Sequence, residues 1–90
     1  MIDDILLPGE YVPIKQAVAV FGLDERTLRR WYHDDPRIGR RPLAGGKIEL
    51  SLPATLMYRT GREDALDLYA QGERTHRVVQ PFIDAFKKSP

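Results

Sequence analysis

Apolar residues recur along this chain with a helical period, and glycine or proline closes most of the runs. From Ile14, the residues Ile14, Ala17, Val18 and Phe21 fall at i, i+3, i+4 and i+7, the stripe of one helix face, and Gly22 follows where a C-terminal stop belongs. Asp24 then offers a side-chain cap to a second helix, with Glu25 well placed in its first turn. Only two or three residues separate these predicted helices, which is a helix-turn-helix spacing. With Arg26 at zero on a helical wheel, Leu28, Trp31 and Tyr32 lie between about 140° and 240°. Leu28 and Trp31 are therefore expected to pack inward against the first helix. Residues 1 to 13, which contain Pro8, Gly9 and Pro13, read as an irregular lead-in.

The pattern changes after the second helix. Asp34-Asp35-Pro36 reads as a turn. Two short segments of strand-like composition follow, Arg40 to Leu43 and Lys47 to Leu50, with Gly45-Gly46 between them, the signature of a β-hairpin. Ser51 can cap a third helix, with Pro53 in its first turn, running to about Thr60 and stopping at Gly61. A fourth begins at Arg62-Glu63-Asp64 and offers Ala65, Leu66 and Tyr69 to a core before Gly72. Val79, Phe82, Ile83 and Phe86 repeat the helical stripe, and Pro81 sets the start of the last helix close to itself. The face of Phe82, Ile83 and Phe86 is expected to serve the core.

Length and composition bound this picture. Ninety residues of 42% hydrophobic content make one small domain, expected over residues 1–90. Two short helices and a hairpin bury too little alone, so the segment 53–90 is expected to complete the core or mediate assembly. Without cysteine there is no disulfide framework and no thiolate metal site. No run approaches the roughly 18 apolar residues of a membrane span, and the start MIDD is unlike a signal peptide. The expectation is a soluble, cytoplasmic protein, with no membrane partner.

The formal charge of +1 conceals an uneven distribution. Residues 1 to 25 carry five acids against Lys15, a net of −4. Residues 26 to 47 carry Arg26, Arg29, Arg30, Arg37, Arg40, Arg41 and Lys47 against Asp34 and Asp35, a net of +5. The remaining charges cancel. A local excess of this size points to an anionic partner.

The second helix concentrates that charge. On its wheel Arg29 lies at about −60°, Arg30 at about +40° and His33 near −20°, all opposite Leu28 and Trp31. Only Glu25, at i,i+4 to Arg29, is placed to pair with the cluster along the helix. A merely solvated face is the ordinary alternative. Adjacent like charges, however, destabilise a helix by a few tenths of a kcal/mol per pair, roughly, so such a face more often alternates sign. Other candidate chemistry is thin. Asp34 and Asp35 have no further carboxylate near in sequence, and Gly45-Gly46-Lys47 lacks the spacing and the following Ser or Thr of a phosphate loop. No catalytic constellation, metal site or cofactor is expected.

Helix, short turn, arginine-faced helix and basic hairpin together describe a winged helix-turn-helix, mainly α with a small β-hairpin wing and additional C-terminal helices. The stretch from Val12 to Leu52 resembles the MerR-like winged-helix proteins, and within them the small excisionases, or recombination directionality factors. Ile14 to Phe21, Gly22-Leu23, the run Arg26-Thr27-Leu28-Arg29-Arg30-Trp31 and Gly45-Gly46-Lys47-Ile48 carry the resemblance. MerR regulators proper continue into a long dimerisation helix and an effector domain, for which this chain has no room, so a stand-alone factor without a small-molecule effector is expected.

The resemblance implies a protein that performs no chemistry. Several copies bind double-stranded DNA head to tail at repeated sites, bend it, and assist a tyrosine recombinase (integrase) in excising a mobile element of a bacterium or phage. It implies base and phosphate contacts by Glu25, Arg26, Thr27, Arg29, Arg30 and His33, with Glu25 accepting from cytosine N4. Arg37, Arg40, Arg41 and Lys47 serve the wing. The alternatives are a small transcriptional repressor or activator using the same helix and wing, a phage DNA-packaging subunit, and a protein-interaction module such as an antitoxin whose arginines meet an acidic protein.

Overall fold

The computed structural model describes residues 11–41 and 47–86. It opens on a strand, β1 (Tyr11–Pro13), where the sequence pattern predicts only irregular chain. β1 pairs antiparallel with β3 (Glu49–Ser51) in the register Tyr11↔Ser51, Val12↔Leu50, Pro13↔Glu49. Three residues are too few for a period-two signal, and the partner lies far along the chain, so the strand has no local signature. Pro13 is tolerated because β1 is an edge of the sheet, whose order is β1-β3-β2.

α1 (Ile14–Phe21) follows at once and ends on Gly22 in the left-handed conformation, φ 67°, whose N–H donates to the Val18 carbonyl at 2.9 Å. A left-handed C-terminal residue is the place where glycine avoids the Cβ clash. α2 (Glu25–Asp34) starts after Asp24, which accepts from the Thr27 N–H at 2.8 Å. Ile14 and Ala17 of α1 and Leu28 of α2 are buried in the core. Trp31 packs against this core without being enclosed by it. It is half-buried, and its ring lies 5.3 Å from that of Tyr58, so its observed aromatic partner is on a later helix.

Asp35 caps a 3-10 turn (Pro36–Ile38), and this turn drives Ile38 into the core. β2 (Gly39–Arg40) then pairs antiparallel with β3, Gly39↔Leu50 and Arg40↔Glu49, so the base of the expected hairpin is present within a three-stranded sheet. The glycine turn at Gly45-Gly46 lies outside the described residues. Gly39 is a site of close approach. A Cβ there would stand 2.6 Å from the Glu49 carbonyl oxygen and 3.0 Å from the Tyr32 ring of α2.

α3 (Leu52–Arg59) is capped by Ser51, whose hydroxyl accepts from the Ala54 N–H at 3.3 Å, with proline in its first turn. α4 (Glu63–Ala70) and α5 (Gln80–Asp84) complete the described chain. One cluster unites Val12, Leu28, Ile38, Leu50, Met57, Leu66, Val79 and Ile83, so the helices beyond residue 51 contribute to the same core as α1 and α2. Its polar members are satisfied: the Ser51 and Tyr69 hydroxyls are 2.8 Å apart, and the Thr55 hydroxyl donates to the Ser51 carbonyl at 2.7 Å. The result is a mainly helical fold with a small three-stranded antiparallel sheet.

Candidate functional site

Leu28 fixes the rotation of α2. Because it is fully buried, the residues across the helix must face out, and Arg26, Arg29, Arg30 and His33 are all exposed. Arg29 is held by Glu25: Oε2 accepts from Nε at 2.9 Å and from Nη2 at 2.7 Å, in the orientation favoured along a helix, acid N-terminal to base. Arg26 and Arg30 form no ion pair with any described residue. Asp24 moderates them from the helix start. Its carboxyl is held below the usual aspartate range by hydrogen bonds from the Thr27 side chain and backbone N–H, and further by the charges of Arg26 and Arg30. Thr27 is thereby engaged in the cap, half-buried, rather than displayed beside the arginines.

The β-arm supplies a second basic group. Arg40 sits across from Glu49 in the ladder and donates from Nε to Oε1 at 2.8 Å, while its guanidinium carbon stands 4.2 Å from the Tyr11 ring centroid. Arg41 and Lys47, which flank residues 42–46 in sequence, are exposed and make no ion pair with a described residue.

Arg37 is placed elsewhere. The 3-10 turn carries it to where Asp35 Oδ2 accepts at 2.7 Å and Glu63 Oε1 at 3.0 Å, with Asp67 Oδ1 at 3.8 Å. The hydrogen bonds to Asp35 and then Glu63 raise its pKa further, and the same contact with Arg37 pulls the Asp35 carboxyl below its usual range. Arg37 thus fastens the exit of α2 to the start of α4, and its charge is cancelled locally.

Four of the expected basic residues therefore form no ion pair with a described residue: Arg26, Arg30, Arg41 and Lys47. Arg29 and Arg40 are each matched by one carboxylate. Glu49 and Tyr11 both meet Arg40, and for Tyr11 no sequence signal announces it, because only the strand register brings it there. Chemically the surface offers an excess of cationic hydrogen-bond donors, with Glu25 as an acceptor among them. Among the described residues no group of His, Asp and Glu is arranged to hold a metal ion, and no helix is long and apolar enough to cross a membrane. Compared with protein-family models, curated proteins and solved structures, the chain matches none.

Proposed function

We propose that the chain is a sequence-specific DNA-binding protein of winged helix-turn-helix type, acting as an excisionase, with α2 as the recognition helix and the β2–β3 arm as the wing. One observation carries the proposal: the burial of Leu28 turns Arg26, Arg29 and Arg30 together to solvent, with Glu25 the only carboxylate among the described residues bonded to any of them. A helix is of the size to enter the major groove, where an arginine fork bonds guanine O6 and N7 and a glutamate accepts from cytosine N4. Arg41 and Lys47, on the arm, suit the phosphates, which position a protein without reading sequence. His33, exposed one turn beyond Arg29, lies on the same face.

One recognition helix reads only a few base pairs, and a mismatch costs roughly 1–3 kcal/mol, so a single copy does not select one genomic site. Copies lined head to tail on direct repeats solve this, and the excisionase reading adds bending of the DNA and a tyrosine recombinase as partner. A two-fold dimer on inverted half-sites is the transcriptional regulator's solution. The test is footprinting together with an excision assay in the presence of the cognate integrase. Cooperative protection of direct repeats, with more excision product, is expected. Tight occupancy of one palindrome without effect on excision transfers the protein to transcriptional control. Absence of binding to duplex DNA at low salt ends both readings and favours an acidic protein partner.

A further inference from the structure

We infer that Glu25 and Glu49 act as built-in counter-ions that hold two arginines of the DNA-facing surface back from phosphate, lowering affinity for random DNA and so sharpening selectivity. The inference rests on the DNA-binding function proposed above.

Two observations point the same way from separate elements. On α2, Glu25 Oε2 binds both Nε and Nη2 of Arg29; on the arm, Glu49 Oε1 binds Nε of Arg40, which is also stacked on Tyr11. Both pairs are solvent-accessible, with side-chain exposures of 48% and 35% for Arg29 and Glu25, and 44% and 31% for Arg40 and Glu49. Exposed pairs of this kind contribute little to folding, so stability alone is a weak reason for placing carboxylates here.

On DNA the same pairs have a direct consequence. Electrostatic affinity comes from cations that displace counter-ions condensed on the phosphates. An arginine already matched by a carboxylate brings no net charge to that exchange. If it leaves for a phosphate, the glutamate stays behind, unpaired, against an anionic surface. A base edge poses no such conflict for the α2 pair, since guanine accepts from Arg29 while a neighbouring cytosine amino group donates to Glu25. Random sequence is therefore met chiefly by Arg26, Arg30, Arg41 and Lys47.

The salt dependence of binding to a random-sequence duplex counts those cations. Four give a slope of log affinity against log salt of about −3.6, whereas all seven basic side chains from Arg26 to Lys47 give about −6.3. Glu25→Gln and Glu49→Gln each release one arginine, and each is expected to steepen the slope by about 0.9, the double variant by about 1.8. At about 50 mM salt each single variant binds random duplex roughly tenfold more tightly. Circular dichroism confirms that the exposed substitutions leave the fold in place. A wild-type slope near −6, with both variants unchanged, overturns the counter-ion role while leaving DNA binding intact. A slope near zero in wild type and variants alike overturns DNA binding itself.

Discussion

Glu25 grips Arg29 through a single oxygen, Oε2, which accepts from both Nε and Nη2 at 2.9 and 2.7 Å. One edge of the guanidinium is thus occupied, while the rest of a planar, five-donor group faces solvent. A lysine carries the same charge but no fork. Arg29→Lys is therefore expected to keep affinity for random duplex and to lose preference at one base position, at a cost of roughly 1–3 kcal/mol there. Selection of bound sequences from a randomised library reads this directly; an unchanged preferred sequence removes Arg29 from base recognition.

The seating of α2 predicts an order of stability losses. Leu28 is fully buried, and Leu28→Ala should cost about 2–5 kcal/mol, enough to unfold much of so small a domain. A fully buried tryptophan would cost about 3–5 kcal/mol, but Trp31 is half-buried on Tyr58, so Trp31→Ala should fall below Leu28→Ala. Urea unfolding of the two variants checks the order, and a larger loss for Trp31 contradicts this placement of the helix.

Acid should weaken the Arg37 clamp through Asp35. Because Arg37 lowers the folded-state pKa of Asp35 below its ordinary 3.8, the stabilisation is complete above that value and disappears as pH falls through the folded one. The stability difference between wild type and Asp35→Asn is expected to be constant near neutrality and to shrink below about pH 4. Urea midpoints measured from pH 6 to pH 2.5, roughly, follow it. A difference that persists undiminished at the acid end shows that Asp35 acts only through its cap.

Gly39 leaves no room for a side chain. The nearest obstacle to a Cβ is the Glu49 carbonyl oxygen at 2.6 Å, a backbone atom of the paired strand, followed by Leu50 Cδ2 at 2.8 Å. Gly39→Ala should cost about 1–3 kcal/mol, since relief requires β2 to part from β3. A melting temperature equal to wild type would mean that the strands separate there at no cost.

Much of the fold was legible along the chain. The limits of α1 and α2 follow from the Ile14–Phe21 stripe, Gly22 and Asp24; Ser51, Gly61 and Pro81 mark later helices equally well. These are signals between residues a few positions apart. What depended on distant neighbours was lost. β1 exists because Val12 meets Leu50, and nothing within Tyr11-Val12-Pro13 announces it. The wheel placed Trp31 on the correct side of α2 but not at its depth, which Tyr58 decides. Arg37 reads as part of a basic run, yet the turn after Asp35 delivers it to carboxylates of α4. Charge along a sequence shows where cations are abundant; only the fold shows which of them are already matched.

The sheet order β1-β3-β2 also bears on how the protein is made. β3 is the middle strand, so β1 and β2 have no common partner until residues 49 to 51 are present. During synthesis the chain emerges from its N-terminal end, and pairing between residues as distant as 12 and 50 closes a long loop that must wait for the later strand. The arginine-faced helix leaves the ribosome well before the sheet can form, and before Met57, Leu66 and Val79 arrive to join Leu28 in the core. A ribosome stalled ahead of β3 would therefore display the basic helix on an unsupported scaffold, and a fragment ending there should not hold the site in shape.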